Sequence, residues 1–268
     1  MMTRYGSIKA VWRARGYVLN GYVSMPSAAA CELYAIQGWD SVTLDMEHGS
    51  IGFDVAVDML RSIHSAGVLP LVRIPRGDPS WIAGLLDAGV MGVTAAMINT
   101  VEDAQRLVHA CRYPPAGDRG MSRMSRAAMM YGADYAKTAN NNINVFAMVE
   151  TPQALDNLEA IAAVPGIDGI YFGGVDFEMS LRGDPRTGDL PESEARAAVL
   201  RARQAVADVC RRHDLLAGMN ANSATVADQL RAEGYRFLTL SSDAAAMTSQ
   251  ARAWVGDARA MFDAKTEV

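Results

Sequence analysis

The sequence is poor in the features that mark several large classes of protein. It has three cysteines in 268 residues, an odd number spaced far apart, so it lacks the cysteine pairs of a disulfide-stabilised secreted domain. Cys31, Cys111 and Cys210 each lie inside a helical pattern, and none follows a strand. We therefore expect buried thiols in a reducing compartment and no catalytic thiol.

Long apolar runs and an excess of basic residues are also missing. No stretch approaches the length of a membrane span, and residues 1–16 lack the apolar core of a signal peptide, so we expect a cytoplasmic protein without a membrane partner. Basic residues number 25 and acidic residues 30, which gives a formal net charge of −5 with no basic tail. This balance argues against a nucleic-acid partner and favours a small molecule.

What the sequence does contain is a series of eight short apolar runs separated by helical patterns. The runs are 21–25, 41–45, 70–74, 92–98, 144–150, 169–173, 215–220 and 237–241. They are nearly continuous rather than alternating, which is typical of parallel strands covered on both faces. A chain of this length with eight strand-helix units predicts an α/β fold, a single-domain (β/α)8 TIM barrel over residues 1–268.

A doubly wound open sheet is the structural alternative. That fold usually carries a glycine-rich phosphate turn after its first strand, whereas residues 25–28 read Met-Pro-Ser-Ala. We therefore favour the barrel. Two helix starts are also predicted, because Asp78-Pro79 and Thr151-Pro152 each place a capping oxygen before a proline.

Charged residues end several of the otherwise apolar strands. In a barrel these C-terminal ends form the active site, and a charge there is costly unless it is paired or bound to a metal. Glu150 and Asp176 end neighbouring strands, so their carboxylates should converge and could hold Mg²⁺ or Mn²⁺. Arg73 ends the third strand, where it could bind a substrate carboxylate or pair with Asp45 or Glu47.

The four histidines divide into one candidate and three others. His48 follows the second strand next to Glu47, a position that favours an acid-base role over a structural one. His64, His109 and His213 lie in or just after helices, and we expect them on the surface.

These residues stand within six ordered motifs that resemble the HpcH/HpaI family of metal-dependent, pyruvate-using aldolases over almost the whole chain. The motifs are LDMEH at 44–48, LVRIP at 71–75, LDAG at 86–89, RYPPAGDRG at 112–120, VET at 149–151 and G-x-x-D at 173–176. The resemblance implies a TIM barrel of the phosphoenolpyruvate/pyruvate-binding type. It also implies a class II aldolase, a carbon–carbon lyase that reversibly cleaves a hydroxy-2-keto acid to pyruvate, or a related 2-keto acid, and an aldehyde.

The same resemblance implies roles for individual residues. Glu150 and Asp176 would bind the divalent metal, Mg²⁺, Mn²⁺ or Co²⁺. Arg73 would neutralise charge on the substrate, and His48 would be the acid-base group, paired with Asp87. No lysine ends a strand, which argues against an aldolase that forms a Schiff base.

Substrate contacts are where the sequence departs from the family. The backbone amides of Gly174 and Val175 would help to hold the keto acid, but many relatives have proline and alanine there. Met148 stands where many relatives carry glutamine. Asn220, at the end of the seventh strand, and Tyr22, from the first, are candidates for specificity.

A homo-oligomer is expected for two reasons. Residues 113–142 follow a helix and carry Arg119, Arg123 and Arg126 among methionines and tyrosines, a composition that suits an interface reaching a neighbour's active site. The family resemblance implies a hexamer built from dimers that exchange their last helix.

Two other functions remain open. An acyl-CoA lyase resembling the citrate lyase β subunit would need a basic groove for the CoA phosphates, for which Arg182 and Arg186 are the candidates. A non-catalytic barrel is the other alternative. It would have no physical reason to keep the strand-end charges.

Overall fold

The computed structural model describes residues 6–75, 79–183 and 190–263, and shows a closed barrel of parallel strands paired in chain order. The strands are β1 Val18–Val23, β2 Ser41–Asp45, β3 Leu69–Ile74, β4 Gly92–Ala95, β5 Asn144–Val149, β6 Gly169–Phe172, β7 Leu216–Asn220 and β8 Phe237–Ser242. β8 closes the barrel against β1. The predicted TIM barrel is confirmed.

Helices cover the outside of the barrel. They are α1 Ile8–Arg15, α2 Ala28–Ala35, α3 Phe53–Ser65, α4 Pro79–Asp87, α5 Val101–Cys111, α6 Arg126–Tyr131, α7 Tyr135–Asn142, α8 Pro152–Asp156, α9 Leu158–Ala162, α10 Gly174–Gly183, α11 Glu192–Arg212, α12 Ala224–Glu233 and α13 Asp243–Asp263. Thr151 caps α8 as predicted, while Asp78 lies outside the described residues. Among the helices described, none is long and apolar enough to cross a bilayer.

A buried polar layer crosses the barrel interior and explains why β1 begins three residues before the predicted run. Asn20 interrupts the apolar pattern, but its Nδ2 donates to Thr239 Oγ1 at 3.1 Å, and its Oδ1 accepts from Ser41 at 2.8 Å. Thr43 donates to the same Oδ1 at 3.0 Å, and Tyr171 donates to Thr239 at 3.0 Å. The amide is satisfied, so a polar residue is tolerated inside the barrel.

The N-terminal end of the barrel is sealed by α1 and a buried ion pair. Ile8 and Val11 are buried beneath the strands, and the Ile8 amide donates to Asn144 Oδ1 at 3.1 Å. Arg112 and Asp168 pair below them at 2.6 Å. The opposite end is therefore the one that can be open to substrate.

The three cysteines are buried inside α2, α5 and α11, as predicted. Desolvation raises the pKa of Cys31, Cys111 and Cys210 to about 12 in each case. A thiol with such a pKa stays protonated at neutral pH and is a poor nucleophile.

One histidine prediction is wrong. His109 is exposed and His213 is partly exposed, but His64 is buried between α3 and α6. Its Nδ1 lies 2.6 Å from the Leu60 carbonyl oxygen, and its Nε2 lies 2.8 Å from the Tyr131 hydroxyl. Tyr131 comes from a distant part of the chain, which local periodicity cannot anticipate.

Stability should depend on the protonation of His64. Desolvation, with a contribution from Arg126, lowers the pKa of His64 from 6.5 to about 4. As the pH falls through this window the unfolded chain binds a proton that the folded chain does not, so the free energy of unfolding should fall by about 2 kcal/mol between pH 7.5 and 5. His64→Gln should remove this component, and exposed His109→Gln should not. The measurement is urea denaturation of the parent and both variants at each pH. If the difference in the free energy of unfolding between the parent and His64→Gln does not change with pH, the assignment is contradicted.

Candidate active site

Arg73 is fixed by a two-pronged ion pair at the C-terminal end of β3. Its Nε and Nη2 donate to the two carboxylate oxygens of Asp45 at 2.9 and 2.6 Å, and both side chains are buried. Its Nη1 lies 3.3 Å from Glu47 Oε2, and the guanidinium stands over the ring of Tyr22, 5.0 Å from the centroid. The charge of Arg73 is thus largely committed to Asp45, and the edge bearing Nη1 faces the remaining site.

The same aspartate shapes the turn that carries His48. Asp45 Oδ1 also accepts the backbone N–H groups of Glu47 and His48, each at 3.2 Å. At Gly49 a Cβ atom would lie 2.2 Å from the Asp45 carbonyl oxygen, so only glycine fits this close approach. The turn therefore holds both Glu47 and His48 at the barrel mouth.

Glu150 is a buried carboxylate directly after β5. Its Oε1 accepts the Met97 N–H at 2.6 Å, and a Cβ at Gly173 would lie 2.7 Å from its Oε2, so glycine leaves room for the carboxylate. Desolvation raises the pKa of Glu150 to about 7, against the Met97 hydrogen bond, and the charges of Glu47 and Asp176 add to the rise. The carboxylates of Glu47, Glu150 and Asp176 therefore lie close enough for their negative charges to repel one another.

The convergence extends to Asp176 in the first turn of α10. Its charge also acts on Glu47, whose pKa is raised first by desolvation, with further contributions from neighbouring carboxylates. Glu47 Oε2 is buried and makes no hydrogen bond within the described part of the chain. Three carboxylates therefore face one arginine that Asp45 already neutralises, an imbalance that a bound cation would correct.

The donor set fits a hard divalent ion. The residues described contain no group of three or more metal-ligating side chains close enough to enclose an ion. Two carboxylates, Glu150 and Asp176, would leave positions open for water or substrate oxygens, as Mg²⁺ and Mn²⁺ usually require.

Two backbone N–H groups and the exposed imidazole of His48 lie at the same end of the barrel as the carboxylates. Gly174 and Val175 occupy the first turn of α10, where backbone N–H groups have no partner within the helix and can bind an anion. The His48 side chain is 61% exposed, with Nε2 3.8 Å from Glu47 Oε2. Met148 is buried in the barrel interior below the site.

Asp87 does not join the others within one chain. It ends α4, which runs from the C-terminal end of β3 back towards the start of β4, so it lies at the end of the barrel opposite to His48. Its carboxylate accepts from Arg119 Nη2 at 2.8 Å, and the buried Arg119 guanidinium stacks on Tyr113 at 4.4 Å. The Asp87 side chain is still 34% exposed.

Residues 113–142 pack on their own barrel more than expected. Arg119 turns inward, and Arg126 donates to the Ala88 carbonyl oxygen at 2.6 Å, so these two arginines do not face outward as an interface would need. Arg123 is exposed. The segment also exposes Met121, Met124 and Met129.

Among the cavities lined by described residues, two open near the helix and strand ends. One, of about 550 Å³, touches Tyr22, His48 and Asn220 at the barrel mouth. The other, of about 700 Å³, lies between α8, α10 and α11, and no predicted site residue is among its described lining. The first is the cavity relevant to the site.

Glu47 was expected only as a possible partner of Arg73, and Met97 was not among the predicted site residues. Glu47 stands between Asp45 and His48 in a motif that was recognised, so its charge could have been counted with the others. Met97 has a positive φ of 57°, which aims its N–H at Glu150. A positive φ is uncommon for methionine, and no sequence pattern predicts it at this position.

The sequence and the fold of this chain are both similar to those of proteins in one family. The sequence model of the HpcH/HpaI aldolase/citrate lyase family matches residues 20–249. The chain is 34% identical to a hydroxypyruvate/pyruvate aldolase of Rhizorhabdus wittichii, covering 95% of this chain and 99% of that protein. It is 33% identical to a 5-keto-4-deoxy-D-glucarate aldolase of Escherichia coli, covering 65% and 68%. A solved HpcH/HpaI aldolase/citrate lyase family protein from Burkholderia cenocepacia superposes with a TM-score of 0.80 at 31% identity, covering 91% and 95%.

Metal binding should stabilise the fold through the converging carboxylates. At a concentration of Mn²⁺ about 100 times its Kd, the Tm of the parent should rise by about 5 to 10 °C. Glu150→Gln and Asp176→Asn should each lose most of this rise, whereas Glu178→Gln, on the outer part of α10, should keep it. Thermal unfolding with and without Mn²⁺ gives the answer, and an equal rise in all four proteins would place the metal elsewhere.

Proposed function

The chain belongs to the HpcH/HpaI aldolase/citrate lyase family, and on that premise we propose that it is a metal-dependent aldolase. The enzyme is a carbon–carbon lyase. It reversibly cleaves a hydroxy-2-keto acid to an aldehyde and pyruvate, or a related 2-keto acid. The observation that carries this proposal is the convergence of Glu47, Glu150 and Asp176 beside an arginine that is already neutralised.

Glu150 and Asp176 would hold the metal, Mg²⁺, Mn²⁺ or Co²⁺. When bound, the cation would supply a Lewis acid that polarises the keto-acid carbonyl. The amides of Gly174 and Val175 would donate to the substrate carboxylate from the start of α10. Arg73 would present Nη1 to the developing negative charge, while Asp45 keeps the guanidinium plane fixed.

His48 would move the proton. In the cleavage direction it takes the proton from the hydroxyl, directly or through a water, and the adjacent carbon–carbon bond breaks to release the aldehyde. The carbon left behind then receives a proton and becomes the methyl group of pyruvate. The exposed ring can reach a substrate from the mouth without moving its backbone, which Asp45 holds.

Asp87 could serve only the His48 of another copy of the chain. Both side chains are partly exposed, at opposite ends of one barrel, so a neighbour could bring them together. We further propose a homo-oligomer, a hexamer built from dimers that exchange their last helix. Large apolar side chains exposed along α13 support that exchange: Met247, Trp254, Val255, Met261 and Phe262.

The alternative functions are less supported. Of the arginines suggested for CoA phosphates, Arg182 is paired with Glu178 at 2.8 Å, and Arg186 lies outside the described residues. A non-catalytic barrel would leave the excess of carboxylates without a purpose. Buried, protonated thiols fit the reducing cytoplasm, which we keep as the proposed location.

A cleavage assay tests the proposed function. Pyruvate release from 4-hydroxy-2-keto acids should stop with a chelator and return with Mg²⁺, Mn²⁺ or Co²⁺. Borohydride added with pyruvate should leave the mass of the protein unchanged, because no Schiff base forms. Full turnover after complete removal of metal would refute the proposal.

Kinetics of two variants, alone and mixed, test the pairing across copies. His48→Ala should lower turnover by roughly 10²- to 10⁴-fold with little change in metal affinity, and Asp87→Asn should also slow turnover. When the two variants are mixed after dissociation, some sites receive an intact His48 and an intact Asp87, so part of the activity should return. Each variant dissociated and reassembled by itself controls for the procedure, and neither should regain activity. A monomer by light scattering, or no recovery in the His48 mixture, would remove Asp87 from the site.

A further inference from the structure

The cavity at the barrel mouth is separate from the metal carboxylates but continuous with the acid-base residue. It has a volume of about 550 Å³, and its lining includes Asp45 and His48 together with the ends of β7 and β8. Glu150 and Asp176 are not among its described lining residues. A bond made or broken beside His48 therefore has the keto acid on one side and this cavity on the other.

The wall of the cavity is rich in hydroxyl and amide groups. Besides Tyr22, six such side chains line it: Ser24, Asn220, Asn222, Ser241, Ser242 and Ser249. The Ser24 hydroxyl donates to Asp243 at 3.2 Å, so its oxygen can still accept, and Ser242 Oγ accepts the Ala245 N–H at 3.1 Å, so its proton can still be donated. The wall can therefore both donate and accept hydrogen bonds.

Fixed positive charge is absent from the described lining, which contains no lysine or arginine. Arg73 stands behind this wall with its fork on Asp45. A carboxylate at the far end of a ligand would thus lack a cation here. An alkyl chain would strip water from the hydroxyl and amide groups without replacing their hydrogen bonds.

Tyr22 adds a buried hydroxyl that the described residues satisfy poorly. The side chain is 7% exposed, and its hydroxyl lies beside that of Tyr171 but makes no hydrogen bond of good geometry with it or with any other described residue. The neighbouring Tyr171 directs its own hydroxyl to Thr239. Burial first, and then Tyr171, raises the pKa of Tyr22 well above its usual range, so the group remains protonated. A ligand oxygen in the cavity would satisfy it.

We propose that this cavity is the subsite for the aldehyde and that it selects an uncharged hydroxyaldehyde, with Tyr22 donating to one of its oxygens. The inference rests on the proposed aldolase function. In the synthetic direction the pyruvate methyl carbon loses a proton and forms a bond to the aldehyde carbon, and the aldehyde oxygen takes up a proton. The further hydroxyl groups of the product then lie along the wall of the cavity.

The experiment compares aldehydes of similar size in the synthetic direction, with pyruvate and Mn²⁺. Glyceraldehyde should have a kcat/KM at least about tenfold above that of pentanal and above that of succinic semialdehyde, because only glyceraldehyde matches the wall without a charge. Exchange of the pyruvate methyl protons with D₂O, followed by NMR without any aldehyde, reports the first half of the reaction. Because this exchange needs no aldehyde, it tests the aldolase function independently of the aldehyde subsite.

Tyr22→Phe provides the residue-level test. The ratio of kcat/KM for glyceraldehyde to that for pentanal should fall by roughly fivefold or more, because the variant loses one hydrogen bond to the favoured aldehyde. The ratio cancels any loss common to both aldehydes. Tyr17→Phe is the matched control, since Tyr17 precedes β1 at the opposite end of the barrel, and its ratio should equal that of the parent. Asn220→Leu should also lower the ratio, and it replaces Tyr22→Phe if that variant does not fold.

The outcomes distinguish the proposals. Methyl exchange together with equal or better use of pentanal overturns the hydroxyaldehyde subsite and leaves the aldolase function standing. A preference for succinic semialdehyde overturns the uncharged part, and means that a cation reaches the cavity. An unchanged ratio in Tyr22→Phe removes that hydroxyl from recognition. Absence of metal-dependent methyl exchange overturns the aldolase function, and the subsite with it.

Discussion

The side chains at the mouth of the barrel carry more negative charge than the single positive charge of Arg73 can neutralise. Arg73 is bound by Asp45 through both prongs of its fork, so the carboxylates of Glu47, Glu150 and Asp176 share little more than one guanidinium edge. Burial of like charges is unfavourable unless protons or a cation reduce the charge, and the raised pKa of Glu150 expresses that cost. The same imbalance supports the proposed binding of a divalent ion at this site.

The fold could be predicted from the sequence because each strand-helix unit carries its own signal. Continuous apolar runs gave seven strands close to their final positions, and β1 differed because Asn20 is polar yet fully hydrogen-bonded inside the barrel. Burial of His64 depends on Tyr131, which lies far away in sequence. Periodicity describes the neighbours within one element, not the element that will pack against it.

The site was predictable in part for the same reason. Glu150 and Asp176 follow adjacent strands, and adjacency in a parallel barrel forces their proximity. Asp87 and His48 belong to recognisable motifs, but a motif does not say at which end of the barrel each residue lies. Only the direction of α4 reveals that the two lie at opposite ends of one barrel. The positive φ of Met97 and the buried position of Glu47 Oε2 depend on backbone and side-chain geometry that no sequence pattern predicts.

The polar layer around Asn20 has a consequence for how the two halves of the site come into being. The hydrogen bond from Asn20 to Thr239 spans 219 positions of sequence, so it can form only when the last strand meets the first. The carboxylates after β5 and β6 come from consecutive units, and their contact has a low contact order. The cavity between β1, β7 and β8 exists only after the seam has closed. The half of the site proposed to hold the keto acid is thus assembled by local contacts, whereas the half proposed to receive the aldehyde forms only when the barrel closes.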